Sequence, residues 1–166
     1  QQLVGTGIGL EGGGDNWSAS WGDYNNDNYP DLFLTTQDPA QPNALYRNNG
    51  NGTFSKVNTA PFSTDLASSI SSAWGDYDND GDLDLYVGNN IGFENFLYRN
   101  EGGGSFTKIL GDPIVSSTGY SHGVSWADYD NDGFLDMFVA VYWETAFNLL
   151  YHNNGDGTFS EMSNNA

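Results

Sequence analysis

Residues 74–87 read Trp-Gly-Asp-Tyr-Asp-Asn-Asp-Gly-Asp-Leu-Asp-Leu-Tyr-Val. Five aspartates, Asp76, Asp78, Asp80, Asp82 and Asp84, fall within nine residues around Gly81. An apolar alternation, Leu83, Leu85 and Val87, runs out of them. Carboxylates this dense repel one another, each like-charged pair costing roughly 4 kcal/mol at 4 Å and an effective dielectric of 20. A folded loop of this kind calls for a cation at its centre. Hard oxygen ligands at alternate positions, with glycine at the sixth for a sharp turn, describe a calcium loop.

The stretch occurs three times. The first copy runs from Trp21 to Leu34 and the third from Trp126 to Val139. Trp21 and Trp74 are 53 residues apart, and Trp74 and Trp126 are 52 apart. A second motif, N-x-L-Y-x-N-x-G-x-G-T/S-F, recurs in step and ends at Phe54, Phe106 and Phe159. Self-similarity at a fixed period signals stacked or radial repeats. Each unit contains four short apolar stretches. The first leads into the tryptophan, as in 68–75. The second follows the acidic loop at 32–35, 85–88 and 137–141. The third covers 44–47, 96–99 and 149–152, and the fourth 54–57, 106–109 and 159–162. Asparagine- and glycine-rich turns at 48–52, 100–104 and 153–157 supply the positive φ that hairpins need. No window carries a helical period. Four short antiparallel strands per unit of about 50 residues is the arithmetic of a β-propeller blade. The fold class expected is all-β: three four-stranded antiparallel blades, at about 15–58, 67–110 and 119–162, forming an open arc or part of a larger ring. Residues 1–14 are glycine-rich and read as a linker or a vestigial outer strand.

The loops supply the metal ligands position by position. In the first they are Asp23, Asn25, Asp27 and Asp31 with the Tyr29 carbonyl, and in the second Asp76, Asp78, Asp80 and Asp84 with the Asp82 carbonyl. In the third they are Asp128, Asp130, Asp132 and Asp136 with the Phe134 carbonyl. The sixth position is Asn28, Gly81 and Gly133, and asparagine is the best stand-in for glycine in a left-handed conformation. The first loop has one carboxylate fewer and is expected to be the weakest of about three calcium sites. An EF-hand would place a bidentate glutamate at position twelve, where this chain has Leu34, Val87 and Val139. A metal-free asparagine- and aspartate-rich turn is the plain alternative, and three copies in register argue against it.

Composition narrows the rest. The 166 residues carry 22 acids against 4 bases, a net charge of −18, and 12 of those acids lie in the three loops. Nucleic-acid binding needs a basic footprint that is missing here. Cysteine is absent, so there is no disulfide or thiolate chemistry. No apolar run reaches the ~18 residues that suggest membrane insertion. Calcium loops without strong ligands suit an environment where calcium is millimolar, so an extracellular, secreted location is expected. The chain starts at Gln1 with no methionine before Met137, which reads as a processed or excised segment. Asn16-Trp17-Ser18 and Asn51-Gly52-Thr53 are glycosylation sequons, meaningful in a eukaryotic secretory host.

The loop on its W-G/A-D-Y lead, with L-x-V after it and the N-x-L-Y motif behind, resembles the FG-GAP/VCBS repeat, the blade of integrin-α-type β-propellers. The resemblance covers roughly 15–162. It implies calcium between the first two strands of each blade, and a role in adhesion, ligand recognition or assembly without turnover. Propellers close with typically 4–8 blades, so three leave two open ends and imply a homo-oligomer, a polymer or a longer ring.

Parity in a meander puts the acidic loops and the asparagine–glycine turns on one face. The connections of unlike sequence lie on the other, where binding specificity usually resides. Phe93, Tyr120 and Trp143 there are candidates for stacking on a sugar ring, and a protein or a glycan is the expected ligand. Glu94 and Glu144 occupy matching loops, and a carboxylate pair could in principle cleave glycosides, but nothing else in the sequence supports an enzyme. Trp21, Trp74 and Trp126 recur and read as inter-blade packing. Asn43, Asn95 and Asn148 read as backbone caps, His122 as a core or channel-lining residue, and His152 as a structural position equivalent to Arg47 and Arg99.

Overall fold

The computed structural model describes residues 16–90, 92–142 and 147–162. The first sheet contains β1 (Asn16–Gly22), β2 (Asp31–Thr36), β3 (Ala44–Asn48) and β4 (Phe54–Val57). The second contains β5 (Ser69–Gly75), β6 (Asp84–Asn89), β7 (Phe96–Asn100) and β8 (Phe106–Lys108). The third contains β9 (Ser121–Ala127), β10 (Asp136–Val141), β11 (Leu149–Asn153) and β12 (Phe159–Glu161). Each is a four-stranded antiparallel meander in sequence order. The three sheets are consecutive propeller blades, as the repeat arithmetic predicts. Residues 1–14, where a linker or vestigial strand is expected, lie outside the described residues.

Register is the same in all three. Trp21 pairs with Leu32, Trp74 with Leu85 and Trp126 with Met137. The next pairs set Gly22 opposite Asp31, Gly75 opposite Asp84 and Ala127 opposite Asp136. The last aspartate of every acidic loop is therefore also the first residue of a buried strand.

The core lies between blades rather than within them. Tyr24, Phe33 and Leu45 of the first sheet meet Leu85, Val87, Tyr98 and Phe106 of the second, with Phe62 from the connecting segment. Tyr77, Tyr86 and Leu97 meet Met137, Val139, Tyr151 and Phe159 in the same way. Near the axis, Ser20 Oγ and Ser72 Oγ lie 2.8 Å apart, and Ser71 Oγ donates to the Ser121 carbonyl at 2.7 Å. The recurring tryptophans do the inter-blade packing at two of their three positions. Trp74 lies over Gly22, and Trp126 over Gly75, where an added Cβ would come within 2.7 Å and 2.6 Å of the indole. Gly75→Ala should drive a wedge between the second and third blades. The expected cost is roughly 1–3 kcal/mol, as for other overpacked cores. A urea midpoint equal to that of the parent would refute this packing account.

One correction concerns helices. The sequence shows no helical period, yet the structure has a single turn, α1 (Pro113–Ser116), and a 3-10 turn at Pro61–Ser63. Both are too short to show a period. Proline sits in the first turn of each, where it has no hydrogen bond to lose, and Asp112 caps α1 by accepting from Ile114 N at 3.1 Å. These turns connect blades and seal the cores with Phe62 and Ile114. Among the described residues no helix is long and apolar enough to cross a membrane.

Candidate metal centre

Each acidic loop is folded around its own carboxylates. Asp23 accepts from Asp27 N at 3.0 Å and Asn28 N at 2.7 Å. Asp76 accepts from Asp80 N at 3.1 Å and Gly81 N at 3.0 Å, and Asp128 from Asp132 N and Gly133 N, both at 3.1 Å. The bend at the sixth position is left-handed throughout, with φ of 68° at Asn28, 93° at Gly81 and 94° at Gly133. Asparagine does replace glycine there, as the sequence suggests.

The last aspartate of the loop has a second task. Asp84, with no exposed surface, accepts from Tyr77 N at 3.0 Å with one oxygen and from Asn100 N at 2.8 Å with the other. Asp31 does the same for Tyr24 N and Asn48 N, and Asp136 for Tyr129 N and Asn153 N. The carboxylate thus pins the loop to the third strand.

Ligand atoms of Asp76, Asp78 and Asp84 lie within 4.8 Å of one another, as do those of Asp128, Asp130 and Asp132, and those of Asp130, Asp136 and His152. Asp78 Oδ1 is buried and has no hydrogen-bond partner. A buried, unpaired carboxylate oxygen is costly unless something positive meets it, so the second loop fits a divalent cation. In the first loop the Asn25 amide donates to Asp31 Oδ2 at 3.2 Å, which partly relieves the cluster without an ion.

Burial, then charge repulsion, weakens the acidity of this cluster. Burial raises Asp84 from 3.8 to about 7 and Asp31 to about 6, against the hydrogen bonds from Asn100, Tyr77, Asn48 and Tyr24. Burial and the neighbouring Asp80 raise Asp78 as well. In the ion-free protein these acids bind protons more tightly folded than unfolded. Their relief of charge is complete below the unfolded value and lost as pH rises through the folded one. Stability of the chelated protein should therefore fall from about pH 4 to pH 7, by up to about 1.4 kcal/mol per unit for a single group. Urea midpoints across that range, with and without calcium, check this. A flat chelated profile would contradict it.

Sequence reading missed several partners of these loops. His152 Nδ1 lies 3.3 Å from both Asp130 Oδ2 and Asp136 Oδ1, so it belongs to the third cluster rather than being only a blade position. Arg47 reaches Asp27 at 3.4 Å, whereas Arg99 turns to Glu101 at 2.7 Å. Asn100 Nδ2 donates to the Tyr24 carbonyl at 2.7 Å and Asn153 Nδ2 to the Tyr77 carbonyl at 2.8 Å, each reaching the preceding blade. Recurrence of that asparagine at the first turn position was the available signal. The loops also touch directly: Asn26 Nδ2 donates to Asp82 Oδ1 at 2.7 Å, and Asn79 Nδ2 to the Gly133 carbonyl at 2.9 Å.

On the opposite face, Asn43, Asn95 and Asn148 cap as expected, accepting from Thr36 N, Asn89 N and Val141 N at 3.0, 2.8 and 3.0 Å. Of the stacking candidates, Phe93 is partly buried against the first core. Tyr120 stands beside His122, whose exposed ring stacks on Tyr142 at 4.9 Å. His122 is therefore not a core residue. Glu94 is exposed, and Trp143 and Glu144 lie outside the described residues.

Comparison with known proteins follows the same lines. No curated protein matches the chain. A solved lectin from Agrocybe aegerita, described as specifically recognising non-reducing terminal N-acetylglucosamine, superposes with a TM-score of 0.60 at 23% identity. The alignment covers 88% of this chain and 38% of that one, so this chain spans well under half of its length. At that identity the likeness concerns the fold. The family model of the FG-GAP-like repeat matches residues 23–87 and 89–139. With that match over most of its length, and with three blades of common register, the chain belongs to the FG-GAP-like repeat family.

Proposed function

We propose that this chain is an extracellular calcium-binding propeller module that recognises a ligand without turning it over. The observation that carries the metal is Asp78 Oδ1, buried and unpaired beside Asp76 and Asp84. In the second loop Asp76, Asp78, Asp80 and Asp84 would hold the ion with the Asp82 carbonyl. Asp128, Asp130, Asp132 and Asp136 would do so in the third loop, and Asp23, Asn25, Asp27 and Asp31 in the first. Calcium would supply positive charge that lets each loop keep its carboxylates ionised. Calorimetric titration of chelated protein should show about three sites, the weakest lost in Asn25→Ala. A flat titration at millimolar calcium would overturn the reading.

The ligand reading favours a glycan. The exposed Tyr142 and His122 rings beside Tyr120 form an aromatic surface on the variable-loop face, and aromatic faces suit sugar rings. The lectin of like fold supports the same class. A glycan array that includes terminal N-acetylglucosamine tests it. Binding lost in Tyr142→Ala, with calcium uptake intact, is expected. Binding to protein partners alone would replace the glycan with a protein ligand.

A further inference from the structure

The segments that join the blades carry matched positions, and the second has lost a charge pair that the first keeps. Pro61 opens the first connecting turn and Pro113 the second. Asp65 and Ser117 each lie four residues further on, and four before the strands that begin at Ser69 and Ser121. On the blade that follows, Tyr98 pairs with Lys108 and Tyr151 with Glu161, so Lys108 and Glu161 are counterparts on the outermost strands. Phe96 and Leu149 are counterparts two residues before those tyrosines.

At the first junction these positions form a closed set. Lys108 Nζ lies 2.9 Å from Asp65 Oδ2, and the Tyr98 hydroxyl donates to the same oxygen at 2.9 Å. The ammonium sits 4.0 Å from the centre of the Phe96 ring. An ammonium laid against an apolar wall thus pins the connecting segment to the second blade.

At the second junction the ammonium is missing and its place is open. Ser117, Leu149, Tyr151 and Glu161, the counterparts of Asp65, Phe96, Tyr98 and Lys108, all line one open cavity of about 420 Å³. Tyr151 belongs to the core between the second and third blades, so the cavity lies at an internal junction. Among the described residues no base reaches Glu161. Arg47, Arg99 and Lys108 pair with Asp27, Glu101 and Asp65, and Lys56 stands opposite Tyr46 in the first blade.

We propose that this cavity binds a primary alkylammonium group, presented by a lysine side chain of a partner protein or by a free alkylamine, with Glu161 as its counter-ion. The chain itself places a lysine ammonium in the equivalent space of the preceding junction. An ammonium has three N–H donors, and Glu161, Ser117 and Tyr151 offer it three oxygens. Leu149 supplies the wall for the methylene stem, as Phe96 does for Lys108. Tyr151 stays a neutral phenol: burial, then the charges of Glu161 and Asp112, holds its hydroxyl well above the usual pKa.

Nuclear magnetic resonance titrations of the calcium-loaded protein test the proposal. The probes are n-butylammonium chloride, Nα-acetyl-lysine amide and uncharged n-butanol, at constant ionic strength. Butylammonium should give saturable shifts on the Leu149 methyls and the Ser117 amide, with butanol weaker by roughly tenfold or more, as for loss of a charge-assisted hydrogen bond. Saturation by acetyl-lysine amide as well identifies a lysine side chain as an acceptable source. Saturation by butylammonium alone restricts the site to free amines. Glu161→Gln should weaken butylammonium by a similar factor. Ser117→Asp combined with Glu161→Lys should abolish the shifts while circular dichroism stays native, because the site is then filled from within as at Asp65 and Lys108. The proposal is overturned if butylammonium produces no saturable shift at tens of millimolar, the result for a cavity that holds water alone. It is equally overturned if butanol matches butylammonium, or if Glu161→Gln binds as the parent does. None of these outcomes touches the calcium reading, which rests on other residues.

Discussion

Chelating calcium is expected to lower the melting midpoint by roughly 15–30 °C when the ion starts at a hundredfold excess over its dissociation constant. Each filled loop contributes about 2.7 kcal/mol by linkage under those conditions, and each kcal/mol moves the midpoint of a domain this size by roughly 2–4 °C. The physical source is the buried acidity. Asp84 and Asp136 are almost wholly enclosed, and Asp78 Oδ1 has no donor. Without an ion the protein must either protonate these groups or bear their repulsion. The loops lie against both inter-blade cores, through Tyr24 and Tyr77, so the penalty reaches the whole fold. Calorimetric scans with and without chelator decide the matter, and coincident scans would remove calcium from the account of stability. Magnesium should substitute poorly, since it demands a tighter octahedral shell than a loop of flexible carboxylates provides.

Asp84→Ala should be the most damaging single truncation in the acidic loops, at roughly 2–6 kcal/mol from two orphaned buried amides before any metal is counted. The amides are those of Tyr77 and Asn100, both of which donate to this carboxylate. Asp80→Ala is the useful contrast. Its carboxylate accepts only from Asp82 N, in an exposed part of the loop. Both changes remove a proposed calcium ligand, but in chelator only Asp84→Ala should still destabilise. Equal urea midpoints for the two variants under chelation would show that Asp84 acts through the ion alone.

Much of this was legible in the sequence because the repeat is written three times. A single copy of Trp-Gly-Asp-Tyr could mean many things, but three in step with three Asn-x-Leu-Tyr motifs fix four strands per blade and place the loops on one face. The structural role of Asp84 was hidden. A carboxylate at a ligand position looks the same whether or not it also holds two amides, and only the pairing of β6 with β5 and β7 brings those amides to it. His152 was hidden for a related reason. Its neighbours in sequence are apolar or turn residues, and Asp130 and Asp136 come to it across the sheet. Trp21 shows the converse limit. Its local sequence matches that of Trp74, yet one is largely exposed and the other packed, because a repeat specifies its residues and not the neighbour beside it.

The side chains of Asn26 and Asn79 bridge adjacent loops, and this has a bearing on how the sites fill. An ion that stiffens the second loop also fixes Asp82, to which Asn26 is tethered, and through Asn79 it steadies the backbone at Gly133. With calcium bound as proposed, the three basins would behave as a linked row. The first to load readies its neighbour, so uptake should rise more steeply with concentration than three isolated basins would allow, and release on dilution should be correspondingly abrupt.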